Sequence, residues 1–315
     1  MARFVARRVL QMLLVMFLVS VLTFLIFNVI PNGDPAVRMA GKSPTETNIE
    51  AIRKEWGFND PLYTQYLTTM RKTMTGDLKS YTTQLDVIDE IVKGIPRTFS
   101  LAIGAALLWL AVAIAFGLYG AVKAGRFSDR AITVLALVGI SMPVFWIGAL
   151  ANYYLGFKAK IFPNGGYVEF LVNPVDWAYH LILPWTVLAL LFIGIYSRIL
   201  RSNVLDTMNE DYVRTARAKG LSERQVLVRH VLRNSLVPIV TLWGLDFGIA
   251  VGGGAILTET VFDLQGVGQF AADSISQLDQ PPVLAVVLFG AFFIVLLNAV
   301  VDIVYAFLDP RVRLQ

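Results

Sequence analysis

The sequence predicts an all-α membrane protein with six transmembrane helices, and three observations lead to that prediction. Of its 315 residues, 56% are apolar and 16% are charged, whereas soluble proteins carry about 25% charged residues. The mean hydropathy is +0.62. Six stretches reach the roughly 20 mostly apolar residues that a helix needs to cross a bilayer. The chain has no cysteine and only two histidines, which argues against disulfides, thiolate metal sites and a histidine metal cluster.

The first predicted span follows a basic N-terminal head and covers residues 9–31. Its apolar run is too long for a cleaved signal peptide and no small-residue cleavage site ends it, so we expect it to be retained. The further predicted spans are 98–122, 131–157, 177–200, 234–258 and 280–308. Pro143 and Pro184 lie inside two of these spans, where a proline can kink a helix.

The distribution of lysine and arginine predicts a cytoplasmic-membrane protein with both termini in the cytoplasm. The segments assigned to the cytoplasm carry 16 of these residues, and the short loops of the other side carry 2. The segment 32–97 is too long for this comparison and is predicted to be extracytoplasmic. Its apolar spacing predicts short amphipathic helices that form a cap on the span ends, or else a surface for an external partner. The net charge of +4 is explained by the membrane flanks, so no nucleic-acid partner is predicted.

The predicted cytoplasmic loop, residues 209–233, carries the signals of a short helix. Asn209 is the predicted N-cap, with Glu210 and Asp211 in the first turn, where acidic groups suit the helix dipole. Gly220 suits the position at which such a helix ends.

A second helix is predicted after this glycine and leads into the fifth span. Ser222 followed by Gln225 has the pattern of a capping box. Thr215, Ala216 and Ala218 are small, so another surface can approach the first helix closely. Because a merely positive loop would need neither caps nor small residues, we interpret the loop as a docking element for a cytoplasmic partner.

The stretch YVRTARAKGL, followed by RHVLRNSLVP, resembles the EAA-type loop of ABC importer permeases in their dipeptide and oligopeptide form. The first permease subunit of the peptide importers is similar over nearly the whole chain. The other matching stretches, in order, are ARRVLQ with VIPNGDPA, NDPLYTQYL with TGDLKSY, SMPVFWIGAL, LILPWTVLAL, ETVFDLQGVGQ and NAVVDIVYAFLDPRVR. Arg214, Thr215 and Ala216 stand where the family motif has Glu-Ala-Ala, as in the peptide branch, so a glutamate-specific salt bridge is not carried over.

The resemblance implies a type I ABC importer-like fold with a permease core over residues 98–308. It implies that the short helix is the coupling helix, which sits in a cleft of a separate ATP-hydrolysing subunit. The implied coupling residues are Asp211, Tyr212, Arg214, Thr215, Ala216, Arg217, Ala218, Lys219 and Gly220. The implied partners are a second homologous permease subunit, two cytoplasmic ATP-binding subunits, an extracytoplasmic peptide-binding protein and membrane lipid.

We expect a non-catalytic subunit of an ATP-driven importer of di- or oligopeptides. The sequence has no G-x-x-x-x-G-K-[ST] loop, catalytic triad or H-E-x-x-H motif, so no cofactor is expected on this chain, and ATP and Mg belong to the partner subunits. Nickel chelates and glutathione are alternative cargoes. A self-sufficient secondary transporter is the alternative of another class, and it should show inverted repeats and intramembrane acids.

Three residues of the fifth span are further candidate sites. Asp246 lies where a carboxylate costs about 3 kcal/mol on insertion scales, so it either faces the translocation cavity or hydrogen-bonds a neighbouring span. Gly248 and Gly252, four residues apart, predict close helix packing, in the main interpretation against another subunit and in the second interpretation a contact with the substrate. The loop ETVFDLQGVGQFAADSISQLDQPP has four acids and no base. The resemblance implies that it faces the substrate-binding protein near the cavity mouth, and the alternative is a plain connecting loop.

Overall fold

The computed structural model of the protein describes residues 2–29, 34–40, 45–80 and 82–308, without the side chains of 2–5, 38 and 302–308. All regular elements in these residues are helices, so the predicted all-α class is confirmed. The one extended pairing among them is an isolated bridge between Lys79 and Asp86.

The helices are numbered in chain order. They are α1 Ala2–Phe24, α2 Pro35–Met39, α3 Glu46–Trp56, α4 Leu62–Thr75, α5 Val87–Val122, α6 Phe127–Ser141, α7 Val144–Ala151, α8 Pro174–Met208, α9 Asp211–Ala218, α10 Glu223–Gln225, α11 Arg233–Ile249, α12 Ile256–Val261, α13 Val267–Ser276 and α14 Gln280–Leu308. Four π-helical segments directly follow α1, α7, α10 and α11, over Leu25–Val29, Asn152–Lys158, Val226–Leu232 and Ala250–Gly254. The last of them is kinked at Gly253, which has a φ of +139°.

Five helices in the described part of the chain are long and apolar enough to cross a membrane. They are Ala6–Val29, Val87–Val122, Pro174–Met208, Glu223–Gly254 and Gln280–Val301, and the bent pair α6 and α7 makes a sixth if it counts as one span. The helix around predicted span 98–122 begins earlier, at Val87, and ends with the span at Val122, whereas the helix around 177–200 extends beyond its span at both ends. The span boundaries themselves stay predictions, because a helix end need not coincide with a bilayer surface.

The predicted third span, 131–157, is two helices rather than one. α6 ends at Ser141, Met142 has extended backbone angles, and Pro143 precedes α7, so that the two pieces meet at a bend of 98°. A proline disfavours helical backbone in the residue before it, which explains the break. Pro184 lies inside α8 and does not interrupt that helix.

The chain divides into two compact units, one made of Met1–Phe99 with Gly248–Gln315 and the other of Ser100–Phe247. In the first unit, the segment between the first two spans contributes to a core with α13 and α14. Its buried members include Trp56, Leu78 and Val267.

The core of the second unit lies where α5, α8, α9 and the helix after α10 meet. Tyr196, Leu200, Val213 and Val231 are among its buried residues. In the same unit, α6, α7 and α8 together with Phe116 of α5 line an apolar cavity of about 580 Å³.

Candidate functional site

The predicted docking element begins one residue later than its sequence suggests. α8 runs to Met208, and Asn209 ends that helix, with its side-chain amide donating to the carbonyl of Leu205 at 3.1 Å. Glu210 has extended backbone angles and is the N-cap of α9. The predicted N-cap at Asn209 is therefore wrong, because its side chain bonds the helix that it ends.

One face of α9 is buried within the chain. Val213 and Ala216 are 0% and 5% exposed and belong to the core that contains Leu200 and Val204 of α8. Residues three apart share a helix face, so the position of Ala216 follows from that of Val213. The prediction counted Ala216 among the docking residues, and the structure buries its side chain in the core of its own unit.

The opposite face of α9 and the turn after it are exposed and polar. The exposed residues are Asp211, Tyr212, Arg214, Thr215, Ala218, Lys219 and Gly220. Arg214 approaches Asp211 to 3.4 Å between Nη1 and Oδ1, but both side chains are largely exposed, so this ion pair contributes little stability. The result is a surface on which small side chains alternate with charged ones.

A tight turn connects α9 to the next helix. Gly220 has a φ of +80°, the left-handed conformation in which glycine is favoured, while a Cβ added there would meet nothing within 4 Å. Arg217 bridges the turn to Glu223, with 3.0 Å between Nε and Oε1. Ser222 and Gln225 form the predicted capping box at 3.3 and 3.4 Å, so this prediction is confirmed.

One side-chain hydrogen bond connects α9 to the helix after it, and a second connects that helix to the one before α9. The amide of Asn234 donates to the Tyr212 hydroxyl at 2.6 Å, which links α9 to the start of α11. The buried Ser235 hydroxyl lies 3.1 Å from Thr207 Oγ1 and links α11 to α8. A displacement of α9 would therefore act on two membrane-crossing helices.

Asp246 has a partner inside its own unit. The Tyr196 hydroxyl donates to Asp246 Oδ2 at 2.5 Å, and Tyr196 is 1% exposed, with the rings of Trp109 and Phe192 each 6.4 Å away. A hydrogen bond to a neighbouring span was one of the two predicted roles, although the donor is a tyrosine. The role at the translocation cavity stays a prediction.

Gly248 and Gly252 pack against α14 of the same chain. A Cβ at Gly252 would lie 2.9 Å from the carbonyl oxygen of Gly290, and one at Gly248 would lie 3.3 Å from Cβ of Leu297. These contacts are close helix packing within the chain, and packing against another subunit stays a prediction.

Sequence reasoning missed an ion pair that precedes the docking element. Asp129, at the start of α6 and 4% exposed, accepts from Arg201 of α8 at 2.7 and 2.8 Å and from the backbone of Gly125 at 2.9 Å. Only one signal was available, namely a single acid in the otherwise basic turn KAGRFSDR. The pair ties the start of α6 to the same helix that leads into α9.

Glu259 is a second missed residue. It is fully buried, with Thr98 Oγ1 donating to Oε1 at 2.7 Å and the backbone of Gln269, in the first turn of α13, donating to Oε2 at 2.9 Å. Burial raises the pKa of this carboxyl above its ordinary value, while these donors and the Gly268 backbone lower it by a smaller amount.

The four acids predicted near a cavity mouth therefore do not form one exposed surface. Glu259 and Asp279 are buried, and the latter accepts from the Ser80 hydroxyl, whereas Asp263 and Asp273 are exposed. In the part of the chain that the structure describes, no cluster of three or more acidic or histidine side chains is arranged to hold a metal ion.

Comparisons with known proteins match the whole chain. A family model described as a binding-protein-dependent transport system inner membrane component matches residues 113–314, and the model of its N-terminal part matches residues 1–102. A putative peptide transport system permease protein of Brucella abortus (strain 2308) is 38% identical over 314 residues, which is 99% of each chain. The oligopeptide transport system permease protein of Bacillus subtilis (strain 168) is 35% identical over 318 residues, 99% of this chain and 100% of that one.

Proposed function

Because the chain belongs to the family of binding-protein-dependent transport system inner membrane components, we propose that it imports di- or oligopeptides across the cytoplasmic membrane. It would be the permease subunit of an ATP-driven ABC importer. Support for a peptide cargo comes from relatives named as peptide, oligopeptide and di/tripeptide permeases, which are 35–38% identical over essentially full length.

The same premise gives the proposed partners. A second homologous permease subunit would complete the membrane part, and two cytoplasmic subunits would bind ATP with Mg and hydrolyse it. An extracytoplasmic peptide-binding protein would deliver the cargo. In this arrangement both termini and α9 face the cytoplasm, as the distribution of lysine and arginine predicts.

One observation carries the proposed coupling role of α9: the helix is held on one face and exposed on the other. Val213 and Ala216 are buried in the core of the unit, while Thr215 and Ala218 lie between exposed charged residues. We propose that an ATP-binding subunit receives this exposed face, with the small side chains allowing close approach.

Movement of α9 would then reach the transmembrane helices by two routes. Its buried face lies against the core formed by α8, and Tyr212 is hydrogen-bonded to Asn234 at the start of α11. When the ATP-binding subunits close, α9 would move with them and pull on both helices. The two permease subunits would rock from an inward-open to an outward-open state and accept the peptide.

Reconstitution of the complete transporter in lipid vesicles tests this proposal. Uptake of a labelled peptide should require both ATP on the side of the vesicle membrane that corresponds to the cytoplasm and an added peptide-binding protein on the other side. Uptake by this chain alone, driven by an ion gradient, would contradict the proposal and indicate a secondary transporter.

A further inference from the structure

Helix α4, Leu62–Thr75, is an amphipathic helix outside the predicted spans, and its polar face is turned inwards. Gln65 and Thr69 are 8% and 1% exposed. The amide of Gln65 donates to the carbonyls of Phe58 and Asp60 at 3.2 and 2.8 Å, and the hydroxyl of Thr69 donates to the carbonyl of Gln65. The buried polar groups of this helix are thus bonded within the chain.

The apolar face of α4 is exposed. Tyr63 is 70% exposed, Leu67 is 60% exposed and Met74 is 88% exposed, and their spacing of four and seven residues places them in one row. Arg71, which follows Leu67 by four residues and precedes Met74 by three, and Thr75 are also exposed and lie along one side of this row. An apolar row of this kind, bordered by polar residues, indicates contact with something other than water.

The position of α4 along α1 indicates what that contact is. The Tyr66 ring lies 6.4 Å from the ring of Phe17 and 5.5 Å from that of Phe24, and its hydroxyl lies 2.7 Å from Ser20 Oγ. The helix that contains these residues ends at Val29. Tyr66 therefore touches the side of a membrane-crossing helix and not its end.

The rise of an α-helix gives the distance of this contact from the end of the first span. With a rise of about 1.5 Å per residue, Ser20 lies about 13 Å along the helix from Val29. The apolar run from Val9 to Val29 is about 30 Å long, which matches the hydrocarbon thickness of a bilayer. Leu18 and Leu22, on either side of Ser20, are 55% and 56% exposed, as expected of side chains that face lipid.

We propose that α4 is an interfacial helix embedded in the leaflet in which α1 ends, with Tyr63, Leu67 and Met74 in contact with acyl chains. Its position beside the exposed apolar surface of α1 favours lipid over a protein partner. A tyrosine at one end and a flanking arginine suit the boundary between hydrocarbon and headgroups. The segment 32–97 was predicted to rest on the span ends, and α4 instead lies along the flank of the first span.

Site-directed spin labelling tests this proposal, because the chain has no cysteine to remove. Labels at Leu67→Cys and Met74→Cys would be compared with labels at their flanking neighbours, Arg71→Cys and Thr75→Cys. The full chain is placed in lipid nanodiscs, both alone and in the assembled transporter. Collision with oxygen, which concentrates in lipid, is measured against collision with water-soluble chromium oxalate, and Leu18→Cys serves as the lipid reference.

The ratio of oxygen to chromium oxalate collisions should be several-fold higher at positions 67 and 74 than at 71 and 75 in both preparations, and should stay below that of position 18, which lies near the middle of the bilayer. Equal access of chromium oxalate to all four positions would overturn the proposal in favour of an aqueous surface. If collisions with both reagents at positions 67 and 74 were lost only in the assembled transporter, the proposal would be overturned in favour of a protein partner. If one labelled variant fails to fold, Tyr63→Cys on the same row replaces it and carries the same expectation.

Discussion

Helices α4 and α9 are both short, both lie outside the predicted spans, and both have one face packed against their own unit. α9 buries the apolar residues Val213 and Ala216 and exposes charged and small ones. α4 does the opposite, since it buries Gln65 and Thr69 and exposes an apolar row. The difference shows that the polarity of the exposed face of such a helix indicates what surrounds it, whereas its length and its packing do not.

Each helix is also held by a tyrosine hydroxyl. Tyr66 of α4 bonds Ser20 of α1, and Tyr212 of α9 bonds Asn234 of α11. Similar attachments thus support two different proposed contacts, a lipid leaflet for α4 and an ATP-binding subunit for α9. The variants below test whether the two exposed faces really differ.

The largest effect is expected where a charge enters the buried face of α9. Val213→Asp would bury a carboxylate without a partner, so the free energy of unfolding should fall by about 3 kcal/mol or more and uptake should be lost. Arg214→Asp introduces the same side chain one residue further on, where it is exposed, and should leave the thermal unfolding midpoint unchanged. Equal destabilisation by both variants would show that α9 has no distinct faces.

The turn after α9 should affect coupling more than folding. Gly220→Leu forces a side chain into the left-handed conformation at a cost of about 1–2 kcal/mol, whereas Gly220→Asn is better tolerated there. ATP-driven uptake should be several-fold lower in the leucine variant than in the asparagine variant, with equal membrane insertion. Undiminished transport in Gly220→Leu would argue against a coupling role for the turn.

A charged residue on the exposed face of α4 should lower the stability of the protein, whereas one on the exposed face of α9 should not. Leu67→Asp places a carboxylate in the leaflet, so stability in nanodiscs should fall by about 1–3 kcal/mol. The matched variant Thr75→Asp lies on the polar flank and should have no measurable effect. The contrast between the two helices would disappear if chemical unfolding gave the same stability for both variants.

Smaller differences are expected from the two tyrosine hydroxyls. Tyr66→Phe removes a bond beside a membrane span and should lower the free energy of unfolding by about 0.6 kcal/mol. Tyr212 is 41% exposed, so water can replace its bond and Tyr212→Phe should have less effect. Thermal unfolding in lipid would show which variant is less stable. A larger effect of Tyr212→Phe than of Tyr66→Phe would indicate that α4 lies in water.

The smallest effect is expected at the hydrogen bond between Tyr196 and Asp246, which lies within the spans and involves neither α4 nor α9. In Asp246→Asn the amide oxygen can still accept from the Tyr196 hydroxyl, so peptide uptake should be nearly unchanged. If Asp246 instead recognises the amino group of a peptide, uptake should fall and the preference among peptides should change. Competition between peptides with free and blocked amino ends distinguishes the two outcomes.

Local signals in the sequence predicted some local features of the structure, although the predicted N-cap at Asn209 was wrong. The capping box at Ser222 and the helix end at Gly220 depend on neighbouring residues and appear as expected. Pro143 and Pro184 show the limit of such signals, because Pro143 breaks its helix and Pro184 does not. Whether the chain continues through a proline depends on packing around it.

Contacts between distant residues were not predictable from the sequence. Asp129 and Arg201 are 72 positions apart, and Thr98 and Glu259 are 161 apart, so neither pair forms a spacing that periodicity can detect. The burial of Ala216 was missed for a related reason: the small size of a side chain does not say which face of a helix is packed.

Thiol protection at the exposed face of α9 tests the coupling proposal most directly. Thr215→Cys would be treated with a water-soluble maleimide in the chain alone and in the transporter assembled with its ATP-binding subunits, with Glu50→Cys as an exposed reference. We expect position 215 to react in the chain alone and to be protected after assembly, while position 50 reacts in both. Equal reaction of position 215 in the two preparations would contradict the docking of an ATP-binding subunit on α9.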